Sequence, residues 1–151
     1  MHAADRPREE QRFERERRET HLPGVLAITS DDRLYYLLLS ASIDLHWKIT
    51  WARTLERALE LCRLRPIPLV IYDERLPGID WREALPGIGG LPDHPAVLLA
   101  ASKVNEEIWE LVLRSRGYDA VERSAGSQEW RRELWFAWLS KGKGRSGSPS
   151  D

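Results

Sequence analysis

Five short apolar runs alternate along the middle of the chain with segments whose apolar residues recur every three or four positions. The runs are GVLAIT, LHWKIT, IPLVIY, PAVLLAA and YDAVE. All but the second are apolar over consecutive positions, which is typical of strands that are covered on both faces. The intervening segments have the spacing of helices that bury one side. The pattern therefore predicts five strands and five helices in alternation.

The predicted helices have recognisable ends. Residues whose side chains favour helix N-termini precede four of them: Ser30 or Asp31, Thr54, Asn105 and Ser127. The third helix, in DWREALPGI, is expected to be short because it contains Pro86. The fourth is expected to end at Gly117.

Alternating strands and helices predict an α/β domain with one doubly wound, five-stranded parallel sheet and helices on both faces. In the second run Leu45, Trp47 and Ile49 alternate with polar residues, which suits an edge strand. The strand order 2-1-3-4-5 places this run at the edge and the first and third strands at the topological switch point. Ligands of such sheets bind beyond the carboxyl ends of the strands. Asp73, which follows the third run, is therefore the best candidate site residue.

Composition narrows the classes of function. The chain has 151 residues, 42% of them hydrophobic, and a formal net charge of −1. A nearly neutral chain gives no reason to expect a nucleic acid or a membrane as partner. A single cysteine, Cys62, allows no internal disulfide and favours a reducing compartment. Because we find neither a membrane-spanning run nor a secretory signal, we expect a cytoplasmic protein.

Charge and glycine content divide the chain into three segments. Residues 1–22 hold six arginines and six acids, and Phe13 is the only large apolar residue of the stretch REEQRFERERRE. We interpret them as a disordered or fraying extension, with a docking helix as the alternative. Residues 23–140 form the predicted domain. Residues 141–151 are predicted to be a flexible, solubilising tail, with contact to an acidic partner or RNA as the alternative.

Motifs of common nucleotide-binding and hydrolytic sites are missing. We find no glycine pattern of a dinucleotide site, no phosphate-binding loop and no serine elbow of an α/β hydrolase. Gly87–Gly90 are predicted to be a plain linker between the third helix and the fourth strand. The four histidines lack the spacing of metal ligands. Cys62 is predicted to be a core thiol on the inner side of a helix.

The order of elements resembles the receiver domain of bacterial response regulators over residues 24–140. VIYDERLPGIDW is similar to that family's phosphoacceptor segment: an apolar strand, Asp, two variable residues, an apolar residue, Pro and Gly, then Asp. GYDAV, at residues 117–121, is similar to the segment that leads into the family's fifth strand. The resemblance implies a flavodoxin-like fold and places Asp73 at the phosphoacceptor position.

The resemblance also implies a chemistry. A receiver takes a phosphoryl group from a phosphohistidine onto its aspartate. Mg²⁺ is held by two acids after the first strand and by the acceptor, and Mg²⁺ requires hard oxygen ligands. A Thr or Ser after the fourth strand and a Lys after the fifth bind the phosphate, whose charge must be balanced.

The sequence departs from this pattern after the first strand. Thr29 and Ser30 stand where two acids are expected, and hydroxyls bring no charge to a divalent cation. Asp31 follows at the opening of the helix, and a shift of register would bring it into the site.

Two further departures follow the fourth and fifth strands. The hydroxyl position falls on Ala100 or Ala101, and Arg123 stands in place of the lysine. The planar guanidinium is bulkier than an ammonium and is not a point charge. We therefore interpret the chain as a degenerate receiver, or pseudo-receiver, without a metal site. In this hypothesis Arg123 pairs with Asp73, and Arg123→Ala lowers stability by at least about 1 kcal/mol.

Tryptophan is abundant, with seven residues in the chain. Helical spacing predicts that Trp135 in the last helix and Trp109 in the fourth face outward. Because tryptophan is enriched in binding hot spots, these two define the predicted interaction face for a partner or for self-association. The alternative is that they are core or half-buried side chains.

Three classes of function remain. The favoured one is a non-enzymatic signal-transduction module that needs no cofactor and binds proteins of a bacterial signalling pathway, such as a histidine kinase or a second copy of itself. The second is a single-domain receiver in a phosphorelay, phosphorylated on Asp73 and dependent on Mg²⁺. The third is a small enzyme, for which the sequence offers only hydroxyls and Arg123 beside Asp73.

Overall fold

The computed structural model describes residues 24–147, and side-chain surroundings as far as residue 141. The predictions for residues 1–22 and 148–151 lie outside the described residues. The strands are β1 (Gly24–Ile28), β2 (Lys48–Ala52), β3 (Leu69–Asp73), β4 (Ala96–Ala101) and β5 (Asp119–Glu122). The helices are α1 (Asp32–Asp44), α2 (Leu55–Leu64), α3 (Trp81–Gly89), α4 (Glu106–Arg114) and α5 (Ser127–Gly147).

The described strands form one sheet in the order β2-β1-β3-β4-β5, and every neighbouring pair is parallel. The predicted fold is therefore confirmed, including the edge position of β2. The order of β1 and β3 at the centre produces the switch point at their carboxyl ends.

Two hydrophobic layers cover the sheet. Val25 and Ala27 face the layer of α1 and α5, whereas Leu26 and Ile28 face the layer of α2, α3 and α4. Burial of each large aliphatic side chain contributes about 1.5–3 kcal/mol. Side chains alternate between the two faces of a strand. Asp73 therefore lies on the same face as Leu69 and Ile71, which is the α1–α5 side.

Short polar side chains start α1, α2 and α4 as predicted, whereas Ser127, the cap predicted for α5, is the first residue of that helix. The carboxylate of Asp31, and not the hydroxyl of Ser30, caps α1. Thr54 caps α2 and Asn105 caps α4, each by accepting a hydrogen bond from a backbone N–H of the first turn. Cys62 is half-buried against the core, and burial raises the pKa of its thiol.

The second strand begins later than predicted. Leu45 caps the C-terminus of α1, and His46 has a left-handed backbone with φ of 59°. The turn directs Trp47 into the α1–α5 layer before β2 begins at Lys48. The alternation of Leu45, Trp47 and Ile49 therefore comes partly from the turn before β2 and not from the strand alone.

Helix α3 is short, as predicted, but it runs through Pro86. It continues to Gly89, so Gly87–Gly90 form its last turn and cap and are not a linker. A Cβ atom on Gly89 would lie 2.8 Å from the carbonyl oxygen of Arg116. The missing side chain of Gly89 thus lets the end of the helix approach the loop before β5.

Helix α5 extends past the predicted start of the tail at residue 141. It reaches Gly147, and Lys141 donates from Nζ to the carbonyl oxygens of Asp93 and His94 at 3.0 and 2.8 Å. The helix therefore continues into the predicted tail as far as Gly147. Within the described part of the chain, none of the helices combines the length and apolarity that a membrane span requires.

Candidate functional site

The carboxyl ends of the central strands enclose a carboxylate. Asp73 is the last residue of β3 and is 1% exposed. Its Oδ1 accepts hydrogen bonds from Arg123 Nε at 2.7 Å and from the backbone N–H of Arg75 at 3.0 Å. Its Oδ2 accepts from the Thr29 hydroxyl at 2.7 Å and from Arg123 Nη2 at 3.2 Å. Both oxygens are therefore satisfied, as a charge in the interior requires.

Arg123 supplies the positive charge of the site. It follows β5, where its backbone N–H donates to the carbonyl oxygen of Ala101 at 2.7 Å. Its side chain is 12% exposed, and Nη2 also donates to Asp31 Oδ2 at 2.7 Å. Hydrogen bonding to Asp73 is the main cause that raises the pKa of the guanidinium. The predicted pair of Arg123 and Asp73 is confirmed, and it extends to a second carboxylate.

Asp31 has two structural tasks. Its Oδ1 accepts from the backbone N–H of Arg33 at 2.9 Å and caps α1, while Oδ2 binds Arg123. The hydrogen bond with Arg123 is the main cause that lowers the pKa of Asp31, and partial burial opposes it. The cap therefore fixes this carboxylate beside the guanidinium, which the sequence alone left open.

Thr29 joins β1 to the buried carboxylate. Its hydroxyl donates to Asp73 and accepts from the backbone N–H of Asp31 at 3.0 Å. Its own N–H donates to the carbonyl oxygen of Ala52, which continues the pairing of β1 with β2. A hydroxyl at this position thus provides a hydrogen bond to Asp73 and no charge.

Trp51 supports Thr29 from the edge strand, a role that the sequence analysis missed. Its indole Nε1 donates to the Thr29 carbonyl oxygen at 2.8 Å. The ring stacks on Tyr35 with 4.0 Å between centroids, and the Arg53 guanidinium carbon lies 3.9 Å from its centroid. An aromatic residue near the end of an edge strand could have indicated this role. The predicted second strand started and ended too early, so Trp51 was not assigned to it.

The remaining predicted pocket residues differ in their surroundings. Ala100 is buried and pairs with Asp73 in the register of β3 and β4. Its methyl group cannot donate to a phosphoryl oxygen. Ser30 is exposed. The structure thus brings Thr29, Asp31, Ala100 and Arg123 around Asp73, whereas Ser30 faces solvent.

A second polar cluster connects the loops after β3 and β4. Arg75 Nε donates to the Ser102 hydroxyl at 3.1 Å, and the Ser102 backbone N–H donates to Glu74 Oε2 at 2.7 Å. Ser102, which carries the first hydroxyl after Ala100 along the chain, is therefore hydrogen-bonded to the loop after β3. These contacts hold the two loops together beside the site.

A magnesium ion does not fit this set of donors. Mg²⁺ requires several oxygen ligands in octahedral geometry, but Asp31 and Asp73 both bind the guanidinium of Arg123. That guanidinium would repel a divalent cation placed between the carboxylates. Among residues 24–147, we find no group of three or more His, Cys, Asp or Glu residues that could hold a metal.

Both residues of the predicted interaction face are accessible. Trp109 on α4 is 44% exposed and Trp135 on α5 is 43% exposed. Trp135 also lies beside Trp47, with 6.3 Å between ring centroids. The predicted outward orientation is confirmed, and the binding role stays a prediction.

Comparison with known proteins identifies the fold. No protein-family model and no curated protein matches the sequence. The structure matches the receiver domain of a putative LuxO repressor protein from Vibrio parahaemolyticus, with a TM-score of 0.75 and 16% identity over 84% of this chain and 98% of that chain. For the receiver domain of an HD domain-containing protein from Pseudomonas fluorescens, the TM-score is 0.73 and the identity 21%, over 83% of this chain and 93% of that one.

The chemotaxis response regulator CheY4 of Vibrio cholerae gives a TM-score of 0.71 at 12% identity, over 77% of this chain and 98% of that chain. The chain therefore has the fold of response-regulator receiver domains. At such identities the similarity establishes the fold alone. The chemistry of this chain must therefore be argued from the side chains around Asp73.

Proposed function

We propose that the chain is a signal-transduction module of the response-regulator type that acts by binding proteins. It is not an enzyme and does not undergo conventional magnesium-dependent phosphorylation. The observation that carries this proposal is the guanidinium of Arg123, which binds both Asp73 and Asp31 at 2.7 Å. The chain itself thus supplies the positive charge that a metal ion would bring to these two carboxylates.

The energetics of Asp73 support this proposal. Its carboxylate accepts four hydrogen bonds, two of them from a charged donor. Hydrogen bonds to charged groups contribute about 1.5–3 kcal/mol each. Attack on a phosphoryl donor would require an oxygen of Asp73 to leave these partners, and the acyl phosphate would add negative charge beside Asp31. The arrangement favours a resting carboxylate over a nucleophile.

One observation favours a second function. Asp73 lies at the switch point, at the position that the resemblance assigns to the phosphoacceptor, with a cation and a hydroxyl both within 2.7 Å. The alternative is a phosphorylatable single-domain receiver in a phosphorelay. It ranks second because it requires a magnesium site that the donor set does not provide.

Phosphoryl uptake separates the two functions. The full chain is incubated with Mg²⁺ and acetyl phosphate, and separately with beryllofluoride, next to a conventional receiver as positive control. We expect no phosphoryl mass on the intact protein and no stoichiometric beryllofluoride. Phosphoryl mass that maps to Asp73 and disappears in Asp73→Asn would overturn the proposal.

An Arg123→Lys variant sharpens this experiment. Lysine retains the charge but cannot donate simultaneously from two nitrogens to Asp73 and Asp31. Uptake by this variant, in contrast to the unmodified chain, would assign the block to the guanidinium. If neither protein takes up phosphate, the hydroxyl of Thr29 and the methyl of Ala100 suffice to prevent the reaction, and the proposal stands.

A further inference from the structure

A cavity opens beyond the amino ends of the strands, at the opposite edge of the sheet from Asp73. It lies between the last turn of α2 and the segments that precede β3 and β4, and its volume is about 260 Å³. Its walls include Cys62, Ile67, Leu91 and Pro95, and Arg63 and Asp93 bring charge to it. Sites for small molecules usually enclose about 300–1,000 Å³, so this cavity suits a single side chain better.

The charged residues of this cavity have no ionic partner among the described residues. Arg63 and Asp93 are both exposed, and neither forms a salt bridge within residues 24–147. Leu64, which follows Arg63 at the end of α2, is 75% exposed. The cavity thus combines apolar walls with two opposite charges, which a docked segment of matching charge can neutralise.

The chain enters the sheet beside this cavity. Strand β1 begins at Gly24, and Val25 pairs with Leu69 at the start of β3. Ile67, in the cavity wall, lies two positions before Leu69. Neighbouring strands are about 4.8 Å apart, so about 10 Å separates β1 from β4. Residues 1–23 are therefore attached at the edge of the sheet that holds the cavity.

Phe13 is the aromatic side chain that this segment offers. It is the only large apolar residue of REEQRFERERRE. Residues 14–23 can span about 16 Å as a helix and more when extended, which is enough to reach from β1 to the cavity. Leu22 lies two positions before Gly24 and reaches only about 7 Å, too little to cross β3.

We propose that the N-terminal segment closes this cavity within its own chain, with the ring of Phe13 against the apolar walls. Arg12, before Phe13, then lies beside Asp93. Glu14, after Phe13, lies beside Arg63, so that each charge of the cavity meets its opposite. The contact goes beyond the proposed function and is independent of it, because it lies at the other edge of the sheet from the buried carboxylate.

The single thiol of the chain reports whether the cavity is covered. Cys62 lines the cavity, and a covered thiol reacts with N-ethylmaleimide only when the contact opens. We expect Phe13→Ser to raise the rate of labelling of the native full chain at least about tenfold. Phe13→Leu retains an apolar side chain and should raise it much less. Equal rates in the unmodified chain and in Phe13→Ser would overturn the inference.

Charge exchange tests the orientation of the segment. Glu14→Arg in the unmodified chain should speed labelling, because it places two positive charges together. In the Arg63→Glu background the same substitution should slow labelling, because it restores an opposite pair. The two chains with Arg63→Glu carry the same charge beside the thiol, so its direct effect on the pKa of Cys62 cancels. If Glu14→Arg acts in the same direction in both backgrounds, the inference is wrong.

Folding and association are controlled separately. Circular dichroism and thermal unfolding show whether each variant is folded during labelling, and Tyr36→Ser, on α1, should leave the rate unchanged. The unmodified chain should be labelled at the same rate at all protein concentrations. Protection that grows with concentration would place the segment in the cavity of a second copy and overturn the contact within one chain. If Phe13→Ser does not fold, the charge exchange decides.

Failure of this inference and failure of the proposed function are distinguishable. Labelling that ignores Phe13 removes the cover of the cavity and leaves the result of phosphoryl uptake as it is. Phosphorylation of Asp73 contradicts the proposed function, whatever the rate at which Cys62 is labelled.

Discussion

The Asp73 site is buried and fully hydrogen-bonded, whereas the outer sides of α4 and α5 expose large apolar side chains. At the site, a buried carboxylate has all its hydrogen-bonding capacity occupied by Thr29, Arg75 and Arg123. On the two helices, Trp109 and Trp135 expose nearly half of their surface. Polar groups are satisfied around Asp73, and apolar groups are left uncovered on the two helices.

This difference indicates where binding of another molecule can gain free energy. A site whose charges are already paired contributes to stability, and a ligand must first break its internal contacts. An exposed apolar surface gains free energy only when something covers it. The comparison predicts that changes at the site mainly alter folding, whereas changes on the helices mainly alter association.

The largest effect is expected from Arg123→Met. The variant keeps an unbranched, flexible side chain but leaves the carboxylate of Asp73 buried without its cation. Removal of one partner of a buried ion pair costs about 3–5 kcal/mol, and we expect a loss near 3 kcal/mol because Thr29 and Arg75 still donate to Asp73. Urea unfolding measures the difference.

A double variant provides the control for this effect. Asp73→Asn in the Arg123→Met background removes the unpaired charge, so part of the lost stability should return. A change below about 0.5 kcal/mol in Arg123→Met would show that the ion pair is not structural, and the contrast between the two regions would fail.

Much of this site could be predicted because topology determines it. Parallel strands in the order β2-β1-β3-β4-β5 bring the residues after β3 and β5 to one edge, so Asp73 and Arg123 were expected to meet. Asp31 could not be placed, because its position depends on where the α1 cap begins. Trp51 was missed because the turn at His46 shifted the start of β2.

The position at which α3 ends depends on contacts between residues that are distant in sequence. Pro86 and Gly87–Gly90 carry local signals for a helix end and a linker, and both signals misled. The close approach of Gly89 to Arg116 is a tertiary contact that no local pattern contains. By contrast, the outward orientation of Trp109 and Trp135 follows from helical period alone.

A smaller effect is expected from Asp31, which lies at the rim of the site. Its pKa in the folded chain is lowered, chiefly by the hydrogen bond with Arg123. The resulting stabilisation is therefore fully present above the unfolded pKa of about 3.9 and is lost as pH falls through the lower folded pKa. Because the side chain is 37% exposed, solvent screening limits the contribution to less than about 1 kcal/mol.

Comparison with Asp31→Asn isolates this contribution. The stability difference between the unmodified chain and the variant should be constant near neutral pH and shrink below about pH 4. In the Arg123→Met background this dependence should largely vanish, because its main cause is gone. If the pH dependence of this stability difference is unchanged in that background, Arg123 is not the cause of the lowered pKa of Asp31.

The smallest effect on folding is expected from Trp109→Ser. Its side chain is 44% exposed on α4, and surface substitutions usually change stability by less than about 0.5 kcal/mol. At high dilution the variant should therefore unfold with the unmodified chain. If the predicted interaction face serves self-association, the Tm of the unmodified chain increases with concentration, because association stabilises the folded state by mass action, while the Tm of Trp109→Ser stays constant. For Arg123→Met the deficit in Tm should already be present at high dilution. If Trp109→Ser instead unfolds early at high dilution, this tryptophan serves the core, and the division between a closed site and an open binding face is wrong.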